Sequence, residues 1–126
     1  FMVTAPNDTA QAAALEALTN GAADPVEFKQ HYQKRRDRLA GAMKKLGFEI
    51  AVPDGAFYIF AKIPAAFGND DFKFARQLAH EAKVGVIPGQ AFGPGGEGHI
   101  RLSYAASDDD IETVISRLGS FMEQLN

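Results

Sequence analysis

Cysteine is absent from this 126-residue chain. That excludes disulfide scaffolds, thiolate zinc sites and cysteine nucleophiles together, and it fits a cytoplasmic protein. A strong charge of either sign is missing too. Thirteen basic against sixteen acidic residues leave a net charge of −3, so no global attraction to nucleic acid or an anionic membrane is expected. Long apolar runs are also lacking: the longest, Ala56 to Ala61, falls far short of the roughly 20 residues of a membrane helix. No basic residue precedes Lys29, so no secretory or mitochondrial leader is expected. What is present is ordinary for one globular domain, with 46% apolar and 23% charged residues. The chain opens Phe1-Met2, which no ribosome begins with, so it is expected to be cut or to lack its beginning.

Local patterns predict two helices, a hairpin, then helix, strand, strand and helix. Ala10 to Leu18 is dense in strong helix formers, with Asp8 or Thr9 as cap and Asn20-Gly21 as stop. Its apolar residues are mostly alanines, which need a larger partner to bury usefully. Asp24-Pro25 starts a long second helix, on which Phe28, Tyr32, Leu39, Met43 and Leu46 keep helical spacing until Gly47. Seven of the thirteen basic residues lie on it, interspersed with Glu27 and Asp37 and without an aromatic platform. A solvated helix face is the plainer reading of them than a nucleic-acid surface.

Phe48–Val52 and Ala56–Lys62, separated by Pro53-Asp54-Gly55, read as two strands of a hairpin. The second is apolar on both faces, which predicts cover on both. Asn69, Asp70 and Asp71 open a helix with Phe74, Ala75, Leu78, Ala79 and Ala82 as its buried stripe. Val84–Ile87 reads as a short buried strand, Gln90–Gly98 as a flexible glycine-rich loop, and His99–Tyr104 as the last strand. Asp108 caps a final helix bearing Ile111, Val114, Ile115, Leu118, Met122 and Leu125. The predicted class is α+β: a small, mostly antiparallel sheet with helices packed largely on one side, plus an N-terminal helical segment.

Most chemical motifs fail on their context. Gly93-Pro94-Gly95-Gly96-Glu97-Gly98 has the dinucleotide-loop spacing, but a strand rather than a helix follows, and the acidic partner is missing. His31, His80 and His99 lie on separate elements without metal-binding spacing. Asp108-Asp109-Asp110 lacks the spaced oxygens and central glycine of a calcium loop. Arg101 stands apart. It shares a strand face with His99 and Ser103, opposite Ile100 and Leu102. A guanidinium held on a strand can grip a carboxylate with two parallel hydrogen bonds; an exposed edge-strand arginine is the plainer alternative.

Three blocks in order carry a wider resemblance: Pro53-Asp54-Gly55-Ala56-Phe57-Tyr58, Val86-Ile87-Pro88-Gly89-Gln90-Ala91-Phe92-Gly93, and Gly98-His99-Ile100-Arg101-Leu102-Ser103-Tyr104-Ala105. With Pro6-Asn7 and Gln11–Leu18 before them and Ile111–Leu118 after, they resemble the closing third of the class I/II pyridoxal-phosphate aminotransferases. The resemblance implies that Arg101 holds the α-carboxylate of an amino-acid substrate and that Ala56 and Phe57 lie near the substrate pocket. It implies that residues 1–24 are a remnant of the large cofactor domain, and that 25–126 form the small C-terminal domain with a linking helix over 25–46. The family's Schiff-base lysine, pyridinium aspartate and phosphate-binding groups would precede this region, and none of the seven lysines here stands in the Ser-x-x-Lys-type context. The chain is therefore expected to be catalytically incomplete, with no cofactor-binding residue or covalent cofactor and no metal of its own. The missing large domain and an amino-acid or 2-oxo-acid substrate are its implied partners, and the parent is implied to be a homodimer. A stand-alone module capturing small carboxylates through Arg101, and an interaction domain using the basic helix, are the alternatives.

Overall fold

The computed structural model describes residues 5–125; Phe1 to Thr4, the start of the expected large-domain remnant, lie outside them. Compactness divides the chain into a unit ending at Gln33 and one beginning at Lys34.

The first unit contains helix α1 (Asp8–Asn20) and the opening turns of α2 (Asp24–Lys45). Asn7, rather than Asp8 or Thr9, caps α1: its side chain accepts from the Ala10 amide at 2.7 Å. All three residue types can cap a helix, so spacing alone does not choose among them. Gly21 closes α1, donating to the Ala17 carbonyl at 3.1 Å. No described residue of this unit is buried, and Leu18 is 87% exposed. The expected stripe on α2 accordingly begins at Leu39, and Phe28 is exposed.

In the second unit, α2 buries Leu39, Ala40, Ala42 and Met43. It ends in a Schellman turn: the Phe48 amide donates to the Met43 carbonyl, and that of Gly47, at φ 89°, to Lys44. The turn delivers Phe48 into the core beside Phe74, 6.2 Å ring to ring. Four strands follow: β1 (Glu49–Ile50), β2 (Tyr58–Lys62), β3 (Ile87–Pro88) and β4 (His99–Ser103). They form one sheet in the order β1-β2-β4-β3, antiparallel throughout. The α+β expectation holds, with β2 and β4 central.

Ile59, Ala61, Ile100 and Leu102 point from β2 and β4 into the core. Phe74 and Leu78 meet them from the third helical segment, and Ile111, Leu118 and Phe121 come from α4 (Asp108–Gln124). Apart from Ala61, each such side chain contributes on the order of 1.5–3 kcal/mol by burial. The other sheet face carries Tyr58, Phe60, Lys62, His99, Arg101 and Ser103, and Phe60 on it is 38% exposed. Within the second unit the sheet is thus covered on one face, where an apolar β2 predicts two.

Three local expectations change. Helix α3 (Asp71–Gln77) passes at Leu78–Ala82 into a π-helical turn. The wider turn breaks the 3.6-residue period and leaves Ala79 exposed although Leu78 is fully buried. The strand expected over Val84–Ile87 is only Ile87–Pro88, at a sheet edge where proline is tolerated, with Ile87 exposed. Ser107, not Asp108, caps α4, its hydroxyl accepting from the Asp110 amide at 3.1 Å.

Candidate functional site

Arg101 sits at the middle of β4, directly opposite Phe60 on β2 and Ile87 on β3. It is therefore on a strand paired along both edges, not at the sheet margin. Its guanidinium carbon lies 4.1 Å from the ring centroid of Tyr58 and 4.4 Å from that of Phe92. Tyr58 reaches it diagonally from β2, and Phe92 from the 3-10 turn Gly89–Phe92 that follows β3. Two rings restrict the swing of a long side chain while leaving its N–H groups usable for a planar acceptor. Among the described residues, no carboxylate lies within ion-pairing distance of Arg101.

The surface around it is an open depression of about 630 Å³, lined by Arg101, His99, Tyr58, Phe60, Lys62 and the 49–53 segment. His99 stacks on Phe60 at 5.1 Å, with its Nδ1 2.8 Å from the Glu97 carbonyl oxygen. Lys62, opposite His99, is tied to Glu49 at 3.1 Å. Ala56 and Phe57 enter β2 just before Tyr58 and do not line this depression. Ala56 holds φ 60° and accepts from the Tyr104 hydroxyl through its carbonyl at 2.8 Å. The Phe57 ring lies 4.4 Å from that of Tyr58, and its carbonyl accepts from the Tyr104 amide.

The glycine-rich segment approaches the preceding turn closely at one point and lacks the build of a phosphate-binding loop. A Cβ on Gly89 would stand 2.0 Å from the Gly96 carbonyl oxygen, so two backbones touch where only glycine fits. No helix follows to aim amides at a phosphate; β4 does. Elsewhere, the basic residues of α2 are partly neutralised within their own unit. Arg35 meets Asp108 at 2.6 Å, Arg36 meets Asp37 at 2.8 Å, and Arg38 makes a two-bond pair with Glu112. That pair raises the Arg38 pKa and lowers that of Glu112, chiefly through the shared hydrogen bonds. Among the described residues no group of three potential ligands could hold a metal, and no helix is long and apolar enough to cross a membrane.

Sequence reasoning singled out Arg101 and missed Tyr58 and Phe92 as its neighbours. Strand alternation alone puts Tyr58 on the same face as Phe60, but register with β4 decides that it reaches Arg101. Nothing in the loop sequence places Phe92 there.

Residues 1–118 match the aminotransferase class I and II family. The chain belongs to that family. It is 38% identical over 122 residues to a probable N-acetyl-LL-diaminopimelate aminotransferase of Bacillus subtilis, covering 97% of this chain and 31% of that protein. An alanine aminotransferase from Pyrococcus furiosus superposes with a TM-score of 0.88 at 32% identity, over 94% of this chain and 30% of that one. A Thermus thermophilus aspartate aminotransferase, a double mutant, superposes at 0.81 with 37% identity, over 93% and 30% of the two chains. The chain thus spans about 30% of the length of the relatives it matches.

The family uses pyridoxal phosphate. Lys62, the lysine lining the depression, is committed to Glu49, and Lys83 donates to the His80 carbonyl at 2.7 Å.

Proposed function

We propose that this chain supplies the substrate-carboxylate clamp of a pyridoxal-phosphate-dependent aminotransferase, with Arg101 as the clamp, and does not catalyse alone. The observation that carries the reading is Arg101 itself: a guanidinium on a central strand, braced by two rings and without a carboxylate partner among the described residues. A charge-assisted two-bond pair is what such a group offers. The relatives' named substrates differ in side chain (diaminopimelate derivatives, alanine, aspartate). All share an α-amino-acid carboxylate, and that shared group is the one assigned to Arg101.

In this reading, Arg101 orients an amino acid or 2-oxo acid by its carboxylate, and Ala56 and Phe57 flank the pocket. Residues 1–24 derive from the large cofactor domain, while 25–126 form the small domain with its linking helix over 25–46. The lysine, the pyridinium partner and the phosphate groups are supplied by the rest of a homodimeric parent enzyme.

Kinetics of the complete enzyme carrying this chain test the clamp. Arg101→Lys keeps the charge and loses the fork; at about 1.5–3 kcal/mol per charged hydrogen bond, kcat/KM should fall roughly a hundredfold or more. An unchanged kcat/KM would remove Arg101 from substrate binding. The 126-residue chain mixed with pyridoxal phosphate and borohydride should yield no single labelled lysine and no turnover. Turnover would overturn its incompleteness.

A further inference from the structure

Among the described residues, Asp71 is the buried charged side chain that the clamp does not use: it is 0% exposed at the start of α3. It does not cap that helix. Asp70 does, its side chain accepting from the Lys73 amide at 2.9 Å. The Asp71 carboxylate turns instead to Gln90, accepting its main-chain N–H at 2.8 Å through Oδ2 and its side-chain amide at 2.6 Å through Oδ1. A buried carboxylate is tolerated only when its lone pairs are met, and one residue meets both oxygens here.

Gln90 belongs to the 3-10 turn Gly89–Phe92, two residues before the ring that lies against Arg101. The turn closes on itself through Gly93, whose amide donates to the Gln90 carbonyl at 3.2 Å. Phe92 is 49% exposed, so core burial alone does not explain where its ring sits. We propose that Asp71 is a positioning residue for the carboxylate site: by fastening Gln90 it fixes the 89–92 turn and holds Phe92 against the Arg101 guanidinium. This deepens the clamp reading and rests on it for its functional meaning, while the fastening itself is a property of the folded chain. Substrate never touches Asp71; its effect passes through Gln90 and Phe92.

Side-chain NMR of the isotopically labelled chain tests the fastening. Protons of Arg101 lying over two aromatic rings carry ring-current shifts, and Phe92→Leu reports the part due to Phe92. Asp71→Ala should move the Arg101 side-chain signals in the same direction as Phe92→Leu, with the Leu118 methyls unchanged as evidence of an intact core. Asp71→Asn should restore them: its oxygen still accepts the Gln90 main-chain N–H, and its NH₂ donates to a flipped Gln90 amide. Arg101 signals unmoved in Asp71→Ala would overturn the proposal, as would failure of the asparagine variant to restore them. If Asp71→Ala does not fold, Gln90→Ala, which cuts only the side-chain bond, should move Arg101 part of the way; no movement there overturns the proposal equally. The clamp is judged separately by titrating acetate against Arg101→Ala. Acetate binding that ignores Arg101 would end the clamp reading and leave the Asp71 result standing.

Discussion

The hydroxyl of Tyr104 donates to the carbonyl of Ala56 across 48 residues of chain, at 2.8 Å. Tyr104 is 2% exposed just beyond β4, and its amide binds the Phe57 carbonyl. One residue thus ties the end of β4 to the turn that launches β2, the two strands that present Arg101 and Tyr58.

Tyr104→Phe removes the hydroxyl and should cost about 1 kcal/mol, the net worth of one hydrogen bond. Burial raises the Tyr104 pKa above its ordinary value near 10. The folded state therefore favours the protonated phenol, and the stability it contributes is present below about pH 10 and lost as pH rises through the folded value. Urea unfolding at pH 8 and at pH 11 should show wild type losing more stability than Tyr104→Phe over that interval. Equal losses would deny Tyr104 this part in the alkaline response.

Ala56 holds φ 60°, a left-handed conformation that costs an L-residue roughly 1–2 kcal/mol. Ala56→Val adds a β-branch there and should lower stability by about 1–2 kcal/mol. Ala56→Gly relieves the strain but loosens the unfolded chain, so it should sit within about 1 kcal/mol of wild type. The checking measurement is the difference in unfolding midpoint between the two variants, with glycine above valine.

How far these features were legible in the sequence depends on how far apart their parts lie. Alternation along His99–Ser103 put Ile100 and Leu102 on one face and Arg101 on the other, because side-chain direction in a strand is a local property. The same holds for Ile111 and Leu118 on α4 and for Gly47 as the end of α2. Register is not local: that Phe60 opposes Arg101, and Tyr58 reaches it, depends on a pairing between segments about forty residues apart. Phe92 and Asp71 were missed for the same reason, since their meaning lies in partners on other elements. The π-turn at Leu78–Ala82 defeated helical counting by lengthening one turn. Arg101's expected role came from the resemblance; its strand face alone made an exposed edge-strand arginine the plainer reading.

The Glu112 carboxyl is held below the usual glutamate range by hydrogen bonds from Arg38. A depressed pKa contributes stability above the ordinary glutamate value of about 4.3 and loses it as pH falls through the folded value. Glu112→Gln should therefore unfold at a slightly lower temperature than wild type at pH 7, the gap being narrower at pH 3. Both side chains are exposed, so added salt should narrow the gap at pH 7 as well. Thermal melts at the two pH values and at low and high salt decide it; a gap that widens in acid would contradict the pairing.

Two glycines separate close approach from mere flexibility. At Gly89 an added Cβ would stand 2.0 Å from the Gly96 carbonyl oxygen and 2.9 Å from that of His99. Both obstacles are backbone, so the turn carrying Phe92 must shift. Gly89→Ala should cost roughly 1–3 kcal/mol, the range for overpacking a tight site. At Gly41, inside α2, an added Cβ meets nothing within 4 Å. Gly41→Ala should gain about 0.5–1 kcal/mol from helix propensity. Denaturant unfolding of the two variants should move in opposite directions, and only Gly89→Ala should displace the Arg101 side-chain signals. Opposite shifts in stability with Arg101 undisturbed would mean that the turn can yield at Gly89 without carrying Phe92 away from the guanidinium.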